Sequence, residues 1–143
     1  MGMFPQTKEK VEKIYYKNEE EIDYICDFFQ NNQHTEVKID LFDTVNTITY
    51  YEGDGQNGYD KENVEIIDGK LLEALETLKN DGFIRIVEEY DYIFFQTWGS
   101  FGGSVGLMFS FSEEPNLSQI NAIEKVVEKL HKKNWFYCKI KYE

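Results

Sequence analysis

Hydrophobic and polar residues alternate with a period of two in several short segments, which is typical of half-buried β-strands. Residues 36–42 (EVKIDLF) place Val37, Ile39 and Leu41 on one side and charged residues between them. The same kind of pattern predicts further strands at residues 45–51, 64–67, 83–89, 92–98, 105–112 and 135–143. The consecutive strands between residues 83 and 112 should form a meander, with residues 99–104 as a wide glycine-rich loop.

Three other segments carry apolar residues at the three- and four-residue spacing of one helix face. The first follows Asn18, a suitable N-cap residue, and should end near residues 30–32. The second is predicted over residues 69–80 after the capping residue Asp68, and the third over about residues 118–132. Residues 11–17 fit either a short strand or a helical turn.

Antiparallel hairpins interrupted by helices indicate the α+β class. We expect a twisted, mainly antiparallel sheet of about five to seven strands with three helices packed on one face. The 143 residues contain no repeat, low-complexity tract or linker, so one domain over residues 1–143 is predicted.

The composition excludes disorder and indicates a cytoplasmic protein. Hydrophobic residues make up 41% and aromatic residues 16% of the chain, enough apolar surface to form a core. No apolar run approaches the roughly 20 residues of a membrane span, and the first residues lack a signal-peptide pattern. The preference for Lys over Arg, with many Asn, Ile, Tyr and Phe residues, suggests a bacterial source with an AT-rich genome.

The charge is strongly negative and unevenly distributed along the chain. Fifteen Lys and Arg residues stand against 27 Asp and Glu residues, giving a net charge of −12. A nucleic-acid-binding role is therefore not expected, because phosphate binding needs a basic surface. Residues 18–68 hold fourteen acidic residues and two lysines, which equals the whole net charge, whereas residues 117–143 are net positive. This acidic segment is either a solvated surface or a docking face for a basic protein partner.

Aromatic residues among the carboxylates would supply contact energy to such a docking face. Trp98, next to flexible glycines, fits either a partner anchor or a cover over the core. The candidate partner-binding residues are Tyr50, Tyr51, Glu52, Asp54, Tyr59, Asp60, Glu62 and Trp98.

The sequence lacks the spacing of a metal site, so no metal or other cofactor is expected. The loop at residues 52–62 resembles a calcium-binding loop only in part. With Asp54 in the first position, Glu65 suits the last, but Tyr59 replaces the required glycine and Lys61 occupies an apolar position. No zinc-binding motif is present, and the glycine-rich loop lacks the lysine of a phosphate-binding loop.

No motif of a known catalytic type is present either, and an enzymatic role is not expected. Cys26 and Cys138 lie in apolar segments and are interpreted as small core residues of a reducing compartment. The alternatives for these cysteines are a disulfide, or a Cys–His nucleophile formed with His34 or His131.

Three features together resemble the bacterial immunity proteins that neutralise polymorphic or contact-dependent toxins. They are the strand pair QTWGSFGGSVGLMFSF, the predicted helix after it and the terminal strand WFYCKIKYE, in a small acidic chain. The resemblance covers about the last third of the chain and assigns no functional residues. It implies a stoichiometric inhibitor whose acidic face covers the basic groove of a nuclease-type toxin.

The leading hypothesis is thus a non-enzymatic protein-binding module, an immunity or inhibitor protein that binds a basic partner. The alternative is a small-molecule-binding or enzymatic α+β domain, with a pocket between sheet and helices lined by Phe94, Trp98 and Phe109. Self-association through the terminal strand is a third hypothesis. Lys139 and Lys141 would protect that strand if it lay at a sheet edge, so a monomer or weak homodimer is expected.

Overall fold

An eight-stranded antiparallel sheet forms the middle of the protein, and three helices pack on one of its faces. The computed structural model describes residues 7–30, 36–42, 45–52, 60–89, 91–100, 102–113, 115, 117–118, 120 and 122–142.

The helices are α1 (Lys8–Lys17), α2 (Glu19–Gln30) and α3 (Gly69–Asn80). The strands are β1 (Glu36–Asp40), β2 (Thr47–Glu52), β3 (Asp60–Glu65), β4 (Arg85–Glu89), β5 (Tyr92–Ser100), β6 (Gly103–Ser110), β7 (Glu124–Lys129) and β8 (Trp135–Lys141). Their order across the sheet is β3-β2-β1-β4-β5-β6-β8-β7. The predicted α+β class, antiparallel sheet and meander are confirmed, but the strands number eight and not five to seven.

Local hydrogen bonds explain where the helices begin and end. Thr7 caps α1, and residues 11–17 belong to this helix and not to a strand. The Asp68 side chain caps α3 by accepting from the Lys70 and Leu71 amides. Gly82 has a φ of 99° and ends α3 as predicted, because glycine adopts this left-handed region without strain. The Asn18 side chain donates to the Ile14 carbonyl, so it fixes the junction of α1 and α2.

The main core fills the space between the helices and the sheet. Its centre is aromatic: the Trp135 ring lies 4.8 Å from Tyr15 of α1, 5.8 Å from Phe95 and 5.2 Å from Phe109, measured between ring centroids. Phe94 lies on the opposite face of the sheet, in a second cluster. The prediction of a pocket lined jointly by Phe94, Trp98 and Phe109 is therefore wrong, because the sheet separates Phe94 from Trp98 and Phe109.

The second cluster covers half of the other face of the sheet. Tyr92, Met108, Phe136, Cys138 and Ile140 are buried there. The chain between β6 and β7 crosses over them and contributes Leu117, Ile120 and Ala122. The half of this face formed by β3, β2, β1 and β4 has no such cover within the described residues, and it is called the open face below.

The third predicted helix, over residues 118–132, is wrong. Residues 124–129 form the edge strand β7, which pairs antiparallel with β8. Val126 and Leu130 pack against the main core, whereas Val127 and Ile120 pack against the second cluster. The apolar residues that suggested one helix face therefore lie on both faces of the sheet, in β7 and in the residues next to it. The third helix of the protein is α1.

Other predicted boundaries also shift. The strand predicted at residues 64–67 is β3 and ends at Glu65, and the wide glycine-rich loop is short because β5 extends to Ser100 and β6 begins at Gly103. The terminal strand β8 is not a sheet edge, since it lies between β6 and β7, so Lys139 and Lys141 do not protect an edge. Among the described helices, none combines the length and apolar character needed to cross a bilayer.

A β-bulge in β5 brings the backbones of β5 and β6 close together. The register shifts between Gln96, opposite Gly106, and Trp98, opposite Val105, which leaves Thr97 as the extra residue. A Cβ atom on Gly106 would overlap the Phe95 carbonyl oxygen. Only glycine fits at this position without movement of a central strand.

We therefore expect Gly106→Ala to lower the free energy of unfolding by about 1–3 kcal/mol, the usual cost of overpacking. Gly69→Ala is the matched control, because nothing lies within 4 Å of its Cβ position. Urea denaturation of both variants measures the difference. Equal stabilities would contradict the close approach at Gly106.

The two cysteines are buried on opposite sides of the sheet. Cys26 belongs to the main core and Cys138 to the second cluster, so they do not pair, and their interpretation as core residues is confirmed. Burial raises the pKa of the Cys26 thiol well above its usual value and that of Cys138 to about 12.

Because the thiolate is the reactive form, neither cysteine should react readily with a thiol reagent near pH 8 in the folded protein. Both should react fast in urea without added reductant. Colorimetric thiol titration with and without denaturant tests this, and rapid labelling of the native protein would contradict the burial.

Candidate functional site

Helix α2 concentrates negative charge on the outside of the helical layer. Of its twelve residues five are acidic and none is basic, and their side chains are Glu19, Glu20, Glu21, Asp23 and Asp27. Ile22, Ile25, Cys26 and Phe29 bury the opposite side of the helix in the main core. Burial of this apolar side therefore fixes which way the carboxylates face.

Helices α2 and α3 run antiparallel with a cleft between them. Tyr24 contacts Asp68 at the start of α3, whereas Lys17, just before α2, pairs with Asp81 just after α3 at 3.1 Å. The cleft has a volume of about 190 Å³. Its lining residues are Glu20, Glu21, Tyr24, Lys70, Glu73, Ala74 and Thr77.

Tyr24 is held firmly at one end of this acidic cleft. Its hydroxyl donates to Asp68 Oδ2 at 2.7 Å, and the Lys70 ammonium lies 4.7 Å from the ring centroid. The hydrogen bond raises the pKa of Tyr24 and lowers that of Asp68, since it stabilises the phenol and the carboxylate together. The ring is thus pre-positioned, which reduces the entropy cost of any contact it makes.

The carboxylates of α2 differ in how far they are neutralised. Lys132, from the β7–β8 connection, contacts Glu19 at 2.7 Å and Asp23 at 3.9 Å. Within the described part of the chain, no ion pair is found for Glu20 or Glu21 on the cleft side. The cleft therefore keeps a negative potential, with Lys70 as the one cation among its described lining residues.

An exposed apolar residue stands beside the acidic cleft. Ile67 directly precedes Asp68, the residue that anchors Tyr24, and its side chain is 92% exposed. A single exposed apolar side chain is common on protein surfaces, so Ile67 matters here only because it adjoins Asp68 and the acidic cleft. The acidic cleft and Ile67 together present the aromatic, apolar and charged groups found in protein interfaces.

The predicted site residues on β2 and β3 do not share one face. Tyr50 packs towards the main core, and burial raises its pKa, while Tyr51 points to the open face under the Lys38 ammonium, 5.7 Å from its ring centroid. Glu62 lies opposite Tyr50 on the helix side. Glu52 is exposed at the end of β2.

The remaining predicted residues do not join them. Trp98 is half-buried on the helix side of β5, where it covers part of the main core, and β1 and β4 lie between β5 and β2. Asp54 and Tyr59 lie outside the described residues, and for Asp60 only the backbone in β3 is described.

The acidic segment over residues 18–68 is therefore not a single face. Glu36, Asp40 and Glu65 lie on the open face, Glu62 on the helix side, and the residues of α2 on the outer helical layer. Its densest part is α2. Sequence reasoning counted the acidic residues of α2 but missed the acidic cleft as a site. The run of acidic residues after Asn18 was the available signal.

The described residues show no grouping of catalytic side chains. His131 is exposed and contacts Glu12 at 2.9 Å, whereas both thiols are buried, and His34 lies outside the described residues. Within the described chain, no three His, Cys, Asp or Glu side chains come together as a metal ion would require. No protein-family model, curated protein or solved structure matches the chain.

The Tyr24–Asp68 hydrogen bond gives a test of the geometry of the acidic cleft. Tyr24→Phe should move the pKa of Asp68 back towards its usual range, near 3.9, because the main cause of its lowering is removed. Because the pKa of Asp68 is lower in the folded than in the unfolded protein, ionised Asp68 stabilises the fold. This stabilisation is complete above the unfolded-state pKa and is lost as the pH falls through the folded-state pKa. The variant should therefore lose it at a higher pH than the wild type.

An NMR titration of the side-chain carboxyl groups measures this shift directly. Tyr16→Phe is the matched control, because Tyr16 is an exposed tyrosine on α1, which does not line the acidic cleft. An unchanged Asp68 pKa in Tyr24→Phe would show that the hydrogen bond does not form in solution.

Proposed function

We propose that the protein is a non-enzymatic binding module whose acidic cleft docks on a basic protein. The observation that carries this proposal is the pair Glu20 and Glu21 beside the fixed ring of Tyr24, in a cleft without a compensating cation on α2. A lysine or arginine of a partner would pair with these carboxylates beside the tyrosine ring.

The charged groups and the apolar groups in and around the acidic cleft would contribute to binding in different ways. Carboxylates at a surface increase the rate of encounter with a basic partner but add little affinity on their own. Tyr24 and Ile67 offer the contacts that exclude water, which usually determine how long a complex lasts. The combination suits an inhibitor that must capture its target fast and keep it bound.

An immunity-type inhibitor of a toxin with a basic active-site groove is the most specific form of this proposal. The strongly acidic composition supports it, since such an inhibitor would present carboxylates where the nucleic-acid phosphates otherwise bind. The protein would act in the cytoplasm as a monomer, in a one-to-one complex. The resemblance in the last third of the chain concerns the strands β5, β6 and β8, which support the main core and not the acidic cleft itself.

The test begins with capture of partners at low and high salt and continues with the purified partner. The double variant Glu20→Lys, Glu21→Lys should slow association by about tenfold or more at low ionic strength, because it reverses the potential of the acidic cleft. Its association rate should also depend less on salt. Stopped-flow or surface-based kinetics measures both.

The control variant Glu9→Lys, Glu124→Lys changes the net charge by the same amount on α1 and β7, away from the acidic cleft. It should slow association much less than the cleft variant. Equal effects of the two variants would leave only a nonspecific charge effect, and an unchanged rate in both would refute electrostatic docking.

A further inference from the structure

A groove runs along the border between the open face and the half of the sheet that the second cluster covers. It has a volume of about 280 Å³. Its floor is the surface of β4, β5 and β6, and Ile120 and Tyr142 form the wall on the covered side. The helices lie on the other face, so this groove is separate from the acidic cleft.

Strand register sorts the residues on this face of β4, β5 and β6 into three rows that cross the strands. The first row is polar and cationic: Arg85, Gln96 and Gly106. The middle row is apolar: Val87, Phe94 and Met108. The last row is acidic and hydroxylic: Glu89, Tyr92 and Ser110.

Arg85, the only arginine of the chain, forms the cationic end of the groove, and its guanidinium can donate further hydrogen bonds. Arg85 Nη2 forms a loose ion pair with Asp40 Oδ2 at 3.7 Å, beyond hydrogen-bond distance, and the Arg85 side chain is 44% exposed. Gln96 donates to the Trp98 carbonyl and to Ser104, which fixes its side chain beside the arginine. A guanidinium in this state is a bidentate donor for a carboxylate.

The acidic end carries two carboxylates side by side. Glu36 on β1 lies directly opposite Glu89 on β4, and Glu89 accepts from the Tyr92 hydroxyl at 3.0 Å. Burial and the neighbouring Glu89 raise the pKa of Glu36. A cation placed between these two carboxylates would relieve their repulsion.

We propose that this groove binds a short linear zwitterion, a peptide of two or three apolar amino acids with free termini. Its carboxylate would bind Arg85, its ammonium would bind Glu89 beside Glu36, and its side chains would contact Val87 and Phe94, since Met108 is fully buried. The acidic end disfavours a plain anion, and the arginine disfavours a plain cation.

The dimensions fit this class of ligand. Arg85 and Glu89 are four residues apart on one strand, so their Cα atoms are separated by about 13 Å. Their side chains reach inward from both ends, and an extended tripeptide spans about 10 Å.

Trileucine is the probe, used with the full-length protein and followed by NMR amide shifts and calorimetry. Saturable binding with a dissociation constant of about 1 mM or tighter is expected for a ligand of this size in an open groove. N-acetyl-trileucine and trileucine amide each lack one terminal charge, and each should bind at least about tenfold more weakly.

Two variants locate the site and two controls match them. Arg85→Gln and Glu89→Gln should each weaken trileucine binding about tenfold or more, and Arg85→Gln should abolish the preference for trileucine over its amide. Lys61→Gln and Glu65→Gln remove the same charges from β3 on the open face, three strands away from β4, and should leave binding unchanged.

Absence of saturable trileucine binding at millimolar concentration would overturn the proposal, as would equal binding by the four variants. Neither result would affect the acidic cleft, because Arg85 and Glu89 lie on the opposite face of the sheet from α2 and α3. The charge reversals at Glu20 and Glu21 should conversely leave trileucine binding intact.

Discussion

Eight antiparallel strands expose two broad faces, and one layer of three short helices can bury only one of them. The sheet is about 34 Å wide at the usual strand spacing, and helices of 10 and 12 residues are about 15–18 Å long. Side by side they cover the helix face from β2 to β8. The other face has only the chain between β6 and β7, so the second cluster is small and ends at β5. The groove exists because this cover stops there.

The same constraint decides how far the sequence predicts the fold. Strands with one buried and one solvated face keep a period of two, and β1 and β4 were predicted for that reason. At β7 both faces meet apolar neighbours, so Val126 and Val127 are adjacent and the period disappears. The spacing of Ile120, Ile123, Val127 and Leu130 then fits a helix equally well. Pairing with β8, which is a long-range contact, decides the outcome, and local pattern holds no information about it.

The sequence predicted that the candidate site is acidic, but it did not predict which residues form it. Counting charges along residues 18–68 identified the acidic character, but it could not show that Tyr50 and Tyr51 face opposite sides or that Trp98 lies three strands from them. It also could not show that Lys132, 113 positions along the chain from Glu19, neutralises one end of α2. Which carboxylates keep their potential is a property of the packed structure, since ion pairs between distant segments form only after folding.

Lys132 also links helix α2 to the core. It contacts Glu19 and Asp23, lies 6.0 Å from the Tyr15 ring centroid, and Tyr15 in turn donates to Glu19 at 3.3 Å. The Tyr15 ring packs on Trp135, so this network ties α1, α2 and the β7–β8 connection to the aromatic centre of the core. The carboxylates at one end of α2 are thereby used for structure, and those facing α3 are left for contact with a partner. One helix can serve both purposes because its charged residues point in two directions.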